Sequence, residues 1–418
     1  MSEFLSLTPL DVARERLLNH LHPIIDFERV DTIASWGRIN AVDILAPHPL
    51  PEFARATVDG YALRAKDTYG ASDSLPAYFQ VIGNVRMGVQ PDFQIEAGLC
   101  ASIHTGGMLP SGANAVVMIE HTQFLGATQI SRLSEIEVFK SIAVNENVIP
   151  VGEDVKTGEV VIKAGQELRA PEIGGLMALG ITQLLVTRQP VIGIISSGDE
   201  IVPPENQPAH GQVRDVNMSL LSVLLEQAGA RAVNCGIIPD QKALLEAAAR
   251  QALNLYDILI ITAGSSVSAR DFTGAVIDNL GKPGILVHGV NVHPGKPTIL
   301  AVCDGKPVFG LPGNPVSALV IARLFVIPVI KLFSGEKKEQ PISSVAARLM
   351  TNIPSQTGRE DWVPMRLYLS DDNSGWFAEP VYGKSNLIIT LVRSDGLVQI
   401  PSSAGGLHAG DIVQVYLL

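Results

Sequence analysis

The sequence predicts a multidomain protein of the α/β plus β class. A split helical domain carries an inserted β-rich module, a doubly wound α/β domain follows, and a small all-β domain closes the chain. Three observations lead there. At 418 residues the chain is long enough for about two to four domains. Between Pro190 and about residue 335, continuous β-branched runs alternate with helical periodicity, the pattern of a parallel sheet covered on both faces. Elsewhere, notably in 52–147 and after 341, short alternating runs separated by Gly and Pro read as strands.

Taken in order, Thr8-Pro9-Leu10-Asp11 ahead of VARERLLNHL predicts an N-cap and a proline at N1 of an amphipathic helix. Pro47, Pro49 and Pro51 then break the chain, and the runs YFQVIGNV, CASIHTG, AVVMIEHT and IEVFKSI fill 52–147. The text AGQELRAPEIGGLMALGI turns helical again, so 1–51 and 148–189 are expected to form one discontinuous helical domain with 52–147 inserted. Within 190–335, VIGIIS, RAVNCGII, DILIIT and VFGL read as strands. NMSLLSVLLEQAG reads as a helix with Asn217 at the N-cap and Gly229 at C′. QKALLEAAARQAL, DFTGAVIDNL and PVSALVIARLF, the last with Pro315 at N1, supply the other helices. After SGEKKEQP, residues 336–418 read as two or three hairpins ending in DIVQVYLL.

Charge and cysteine usage narrow the function. The chain has 31 Lys and Arg against 42 Asp and Glu, a net charge of −11, which excludes a general nucleic-acid binder. A small anionic ligand remains compatible, because backbone N–H groups and a few local cations hold one. Cys100, Cys235 and Cys303 lie far apart without metal spacing, which excludes a disulfide scaffold or zinc ribbon and suits a cytoplasmic protein. The first residues do not read as a signal peptide. The apolar stretch Val316–Phe333 is interrupted by Arg323, Pro328 and Lys331, so a buried helix is expected and no membrane span.

Four loops at strand ends combine glycine with polar or acidic groups: Ser196–Glu200, Gly211–Asn217, Thr262–Asp271 and Gly310–Ser317. Glycine permits close backbone approach, and a helix N-terminus offers unpaired N–H groups to an oxyanion. In an open α/β sheet such loops gather at the carboxyl edge, where ligands bind. Asp199, Glu200, Asp215 and Asp271 would repel a phosphate there unless a divalent ion bridges them, and Mg²⁺ fits; helix capping is the alternative for Asp215 and Asp271. His293-Pro294-Gly295-Lys296-Pro297 is a cationic turn whose prolines fix the backbone. Thr57–Ala62 and Thr105–Pro110 read, on their own, as turns.

In this order the segments resemble the molybdopterin molybdenumtransferase family. The family's Ser-x-Met-Asp-Gly-Tyr-Ala stands here as Ala56-Thr57-Val58-Asp59-Gly60-Tyr61-Ala62, and its Thr-Gly-Ala-x-x-Pro stretch as Thr105 to Val117 with Asn114 in place of Asp. Gly152-Glu153-Asp154, Ser197-Gly198-Asp199-Glu200, Gly211–Asn217, Pro294–Pro297 and Leu311–Ser317 match in sequence order over essentially the whole chain. The resemblance implies a barrel-like C-terminal domain, a homodimer, and contact with the molybdopterin adenylyltransferase. It implies a reaction in which molybdate is inserted into adenylylated molybdopterin with Mg²⁺-dependent release of AMP. By position it makes Asp59, Asp271 and Lys296 catalytic, and Asp215, Asp271 and Glu200 metal ligands. Thr105, Asp154, Gly198, Glu200, Gly264, Ser265, Ser266, His293, Pro297, Gly313, Asn314, Ser317, Arg359 and Ser385 are assigned to the substrate site.

Two departures touch that site. The family's Ser-Gly-Gly-Val-Ser-x-Gly loop is Thr262-Ala263-Gly264-Ser265-Ser266-Val267-Ser268 here, and the first lysine of its Lys-Pro-Gly-Lys-Pro turn is His293. They leave open a tungstate-preferring paralogue or a non-catalytic protein that binds and delivers the pterin nucleotide. A scaffold with a vestigial site is a third reading, but no additional docking segment stands in the sequence.

Overall fold

The computed structural model describes residues 7–127, 134–263, 267–337, 342–370 and 375–418, and the side chains of 127 and 267–271 lie outside that description. Helix α1 (Leu10–Leu18) opens the described chain. Thr8 does not cap it: its backbone pairs with Val290, and Pro9 takes the extended N-cap position instead.

Residues Val42–Ala164 and Ala170–Thr182 form one unit. Its core is a six-stranded sheet of β1 (Gly60–Leu63), β2 (Ala77–Asn84), β3 (Leu99–Ile103), β4 (Ala115–Met118), β5 (Thr122–Ala127) and β6 (Ser134–Val138), ordered β4-β1-β3-β2-β6-β5. Side chains alternate across a pleated strand, so both faces can be filled from one short run. Tyr61, Leu63, Cys100 and Val117 enter one apolar core; Ala62, Ala101 and Val116 enter the other. A Cβ on Gly60 would lie 1.8 Å from the Val117 carbonyl oxygen, so only glycine lets β1 cross β4 beside Asp59. Helix α2 (Ala170–Ala178) belongs to this unit.

The expectation of a helical character for 1–51 and 148–189 is only partly met. Among the described residues, two α-helices of nine residues each occur there, α1 and α2. The rest includes two-stranded ribbons, Phe27–Asp31 with Gln183–Thr187 and Ile44–Leu45 with Val160–Ile162, and Val148–Ile149 pairs with Arg55–Ala56 of the inserted segment. The β-branched residues Val160-Val161-Ile162 and Val186-Thr187 favour the extended chain over the helix.

Residues Met1–Ala41, Gly165–Arg169 and Gln183–Leu418 form the other unit. Its α/β part runs β7 (Val191–Ser197), α3 (Asn217–Gln227), β8 (Arg231–Ile238), α4 (Lys242–Leu255), β9 (Ile258–Ala263), α5 (Val267–Asp278), β10 (Pro283–His288), β11 (Ile299–Cys303), β12 (Lys306–Pro312), α6 (Pro315–Ile321) and, after a π-helical turn at Ala322–Val326, α7 (Ile327–Phe333). The sheet order is β8-β7-β9-β12-β11-β10. The first four strands are parallel neighbours, but β11 runs antiparallel to both β12 and β10, so the sheet is mixed. The turn responsible is Asp304-Gly305, both at positive φ (50° and 84°), which joins Cys303 to Lys306 as a two-residue hairpin.

Continuous apolar strands bury both faces. Ile192, Ile194, Ile258 and Ile260 pack with α1, α3 and α6–α7; Ile195, Leu259 and Ile261 pack with α4 and α5. The stretch Pro315–Phe333 is long and apolar enough to cross a membrane, and it is 67% buried within this core. Pro328 lacks the N–H that would bond the carbonyl of Leu324, and that carbonyl accepts from Arg14 Nη2 of α1 at 3.1 Å.

The C-terminal strands β13 (Ser344–Leu349), β14 (Glu360–Leu369), β15 (Trp376–Pro380), β16 (Gly396–Ile400) and β17 (Ile412–Leu417) follow the order β14-β15-β13-β17-β16, and β16 pairs back to β14. This is a closed five-stranded barrel around Leu349, Met365, Ala378, Val398 and Val415. Closure leaves no sheet edge to protect.

Candidate functional site

Parallel strands point their carboxyl ends the same way, so the carboxyl ends of β7, β8, β9 and β12 share one edge of the sheet. After β7, Ser197 Oγ donates to Asp240 Oδ1 at 2.8 Å, and the Asp240 N–H donates to Asp199 Oδ1 at 3.1 Å. The second loop supplies Asp215, which is buried and accepts from the Met218 N–H at 3.0 Å. Asp215 is therefore the cap of α3; Asn217, expected at the N-cap, is already the first helical residue. Asn217 Nδ2 instead donates to the Gly313 carbonyl at 2.8 Å, tying the second loop to the fourth. Its buried Oδ1 has no hydrogen-bond partner among the described residues, an unmet acceptor at this joint. A cavity of about 730 Å³ opens beside these groups, lined by Gly198, Asp199, Asp215, Met218, Asn234 and Pro239 among others.

In the fourth loop Asn314 Nδ2 donates to Ser385 Oγ at 3.1 Å, and the Val316 N–H donates to the Ser385 carbonyl at 3.1 Å. Pro315 stands at the first turn of α6, and Ser317 is buried just behind it. The 293–297 turn rests on the same helix: a Cβ on Gly295, whose φ is 129°, would come 2.5 Å from the Ile321 side chain. Thr298 Oγ1 closes the turn on the Gly295 carbonyl at 2.6 Å, and the Lys296 carbonyl accepts from Val290 N–H while its side chain is exposed.

The strand Val292–His293 pairs in parallel with the start of β14, setting His293 opposite Asp361. Arg359 donates to Asp361 through Nε (2.7 Å) and Nη2 (2.9 Å), Ser355 Oγ adds a bond at 2.9 Å, and His293 Nδ1 lies 3.8 Å from Asp361 Oδ1. Burial and the Arg359 charge hold the His293 pKa below its usual value, opposed by the Asp361 carboxylate.

In the other unit Asp59 Oδ1 accepts from Thr105 twice, from N–H at 2.7 Å and from Oγ1 at 3.0 Å, and His104 Nδ1 stands 3.6 Å away. Those bonds, the backbone one first, hold its carboxyl below the usual range, so it is ionised at neutral pH.

Three family descriptions match this chain in succession: MoeA N-terminal region (domain I and II) over 8–180, probable molybdopterin binding domain over 193–332, and MoeA C-terminal region (domain IV) over 346–418. A putative molybdopterin biosynthesis protein of Methanocaldococcus jannaschii is 35% identical, over 99% of this chain and 98% of the relative. The molybdopterin molybdenumtransferase of Haemophilus influenzae is 30% identical over 97% of each chain, and that of Bacillus subtilis 32% over 98% of this chain and 94% of the relative. The chain belongs to the MoeA family of molybdopterin molybdenumtransferases. A crystal structure of the Pyrococcus horikoshii molybdopterin biosynthesis MoeA protein superposes with a TM-score of 0.85 at 30% identity, covering 99% of this chain and 100% of that one.

For a MoeA chain, the structure draws the expected residues into three groups. Gly198 and Asp215 share the cavity; Gly313, Asn314 and Ser385 share the start of α6; His293 and Arg359 share Asp361. Asp59 and Thr105 are bonded to each other, and Asp154 is exposed. Gly264, Ser265 and Ser266 lie outside the described residues; the backbone of Asp271 is inside α5, past its start, which removes the N-cap alternative for it. Asp240 and Asp361 were not anticipated. Asp240 follows β8 directly, and the rule that strand-end loops converge was the signal for it; Asp361 lies inside a strand, where no local motif marks it.

The Asp271 side chain of the expected metal set Asp215, Asp271 and Glu200 lies outside the described residues; among the described residues no group of three His, Cys, Asp or Glu is placed to hold a metal ion. Asp215, Asp199 and Asp240 each use one oxygen within the protein. One or two carboxylates completed by substrate phosphate oxygens suit Mg²⁺, which seldom takes an all-protein cage, so the donor chemistry fits.

Proposed function

We propose that this chain inserts molybdate into adenylylated molybdopterin with Mg²⁺-dependent release of AMP, acting as a cytoplasmic homodimer supplied by a molybdopterin adenylyltransferase. The observation that carries the reading is similarity along nearly the full length to curated molybdopterin molybdenumtransferases, supported by the position of the Ser196–Glu200 and Gly310–Ser317 loops at the carboxyl edge of the sheet. The 293–297 turn, with Lys296, Pro297 and Ser317 of α6, receives the oxyanion. His293 and Arg359 add positive charge on one side of it, and Ser385 with Asn314 and Gly313 closes the other. The Ser197–Glu200 loop and the 264–266 segment hold the nucleotide by backbone and hydroxyl donors.

Asp215, Glu200 and Asp271 would hold Mg²⁺ through one or two carboxylates, where the ion supplies charge neutralisation for the phosphate that leaves as AMP. Asp271 and Asp59 act as carboxylates at the reacting phosphate and pterin, with Thr105 fixing the Asp59 orientation. Asp154 lines the pterin. Retention of Asp59, Asp215, Asp271 and Lys296 favours turnover over a delivery-only protein. Purified protein supplied with adenylylated molybdopterin and Mg²⁺ should release AMP when molybdate is added. Binding of the nucleotide without any release would support delivery instead, and release with tungstate alone would support the paralogue.

A further inference from the structure

The 293–297 turn and the barrel meet at a buried carboxylate, Asp361, that no local motif marks. Asp361 is 5% exposed and takes three polar neighbours at once: Arg359 by two bonds, Ser355 by one, and His293 at 3.8 Å. Its two oxygens are occupied by the planar Arg359 fork and the Ser355 hydroxyl, so the guanidinium has one orientation. The parallel pairing of Val292–His293 with Glu360–Asp361 fixes the imidazole against the same carboxylate by backbone register. Among the described residues, the charges that act on His293 are Arg359 and Asp361. Glu360, the next residue of β14, is turned to Trp362, whose Nε1 donates to it at 2.7 Å.

We propose that Asp361 is the positioning residue of the oxyanion site: it fixes Arg359 and His293 as a pair beside the 293–297 turn and sets the pH range over which His293 is charged for anion binding. This rests on the reading of that turn as the oxyanion site. An arriving oxyanion favours the imidazolium, so binding takes up a proton. The sign follows from linkage. A His293 pKa raised by the bound anion makes affinity greatest below the free-state pKa, and affinity falls as pH climbs through the bound-state value.

Asp361 and Arg359 act on His293 with opposite sign, and that gives the test. Molybdate binding to the full-length protein is measured calorimetrically from pH 5 to 9, in buffers of different ionisation enthalpy, and the His293 imidazole is titrated by NMR without molybdate. Asp361→Asn should weaken binding by about tenfold, the scale of losing one charge-assisted bond, and move both the affinity curve and the His293 titration to lower pH. Arg359→Gln should move the His293 titration to higher pH. A merely structural role of Asp361 gives a uniform loss with both curves in place, and that result overturns the proposal. If Asp361→Asn does not fold, an unmoved titration in Arg359→Gln overturns it equally. Wild-type protein that binds no molybdate overturns the oxyanion-site reading itself, whereas wild-type binding with unmoved curves in both variants overturns only the role of Asp361.

Discussion

Two carboxylates separate a structural from a chemical role at the scale of single residues. Asp215 caps α3 through the Met218 N–H, so Asp215→Ala should lower stability by about 1 kcal/mol, the usual cost of a lost N-cap, alongside any loss of activity. Chemical denaturation measures the first and AMP release the second. Asp271 lies within α5, past its N-terminal start. Asp271→Asn should therefore leave the unfolding midpoint unchanged while slowing AMP release by at least about 10²-fold, the scale of losing one electrostatic stabiliser. An unaffected rate removes Asp271 from the reaction. The sequence made both aspartates candidates for either role, because a cap and a ligand use the same residue at the same spacing; the Asp215 bond to Met218 marks one of them as a cap. Asp361 was illegible for a different reason: its partners Arg359, Ser355 and His293 meet through strand pairing, which no local motif encodes.

Elements were read well where one rule governed them. Gly229 at C′ of α3 and Pro315 at the first turn of α6 stand as expected, since backbone conformation alone decides those positions. The β11–β12 hairpin was missed although Asp304-Gly305 between two apolar runs is a strong hairpin signal; strand–helix alternation on either side masked it. The α6–α7 helix offers a test of how elements are joined. With Pro328 in place, Arg14→Met should cost about 1–2 kcal/mol by leaving the Leu324 carbonyl unbonded. In a Pro328→Ala background the helix N–H takes that carbonyl and the cost should shrink, a coupling that a double-mutant cycle measures. Asp257 joins elements in the same way, through two bonds to Arg188 and one from the Val191 N–H at the start of β7. Burial opposes its ionisation, but these bonds outweigh burial and hold its pKa below the usual value. A depressed carboxylate contributes stability above its unfolded pKa and loses it as pH falls through the folded one. Asp257→Asn should thus be less stable than wild type at pH 7, with the difference closing below about pH 4, the unperturbed carboxylate range; melting temperatures across pH 3–7 check it.

At the scale of the whole molecule, the class was legible because composition, periodicity and loop chemistry agree along the chain, down to an all-β C-terminal domain; its closure as a barrel was implied only by the family resemblance. The mixed sheet and the strand content of the split region were not, since short β-branched runs look alike in helix and strand contexts until tertiary packing chooses. A homodimer predicts a particle of about twice 44.6 kDa in sedimentation equilibrium. Mixing inactive Asp59→Ala and Asp271→Ala chains should restore partial AMP release if the two residues are supplied by different copies; no recovery in mixed dimers verified by mass assigns both to one copy. The most direct test of the central claim is AMP release by the wild-type protein from adenylylated molybdopterin and Mg²⁺, followed with and without molybdate. Release that depends on molybdate and yields the molybdenum-loaded pterin is the predicted result; tight nucleotide binding with no molybdate-dependent AMP would contradict it.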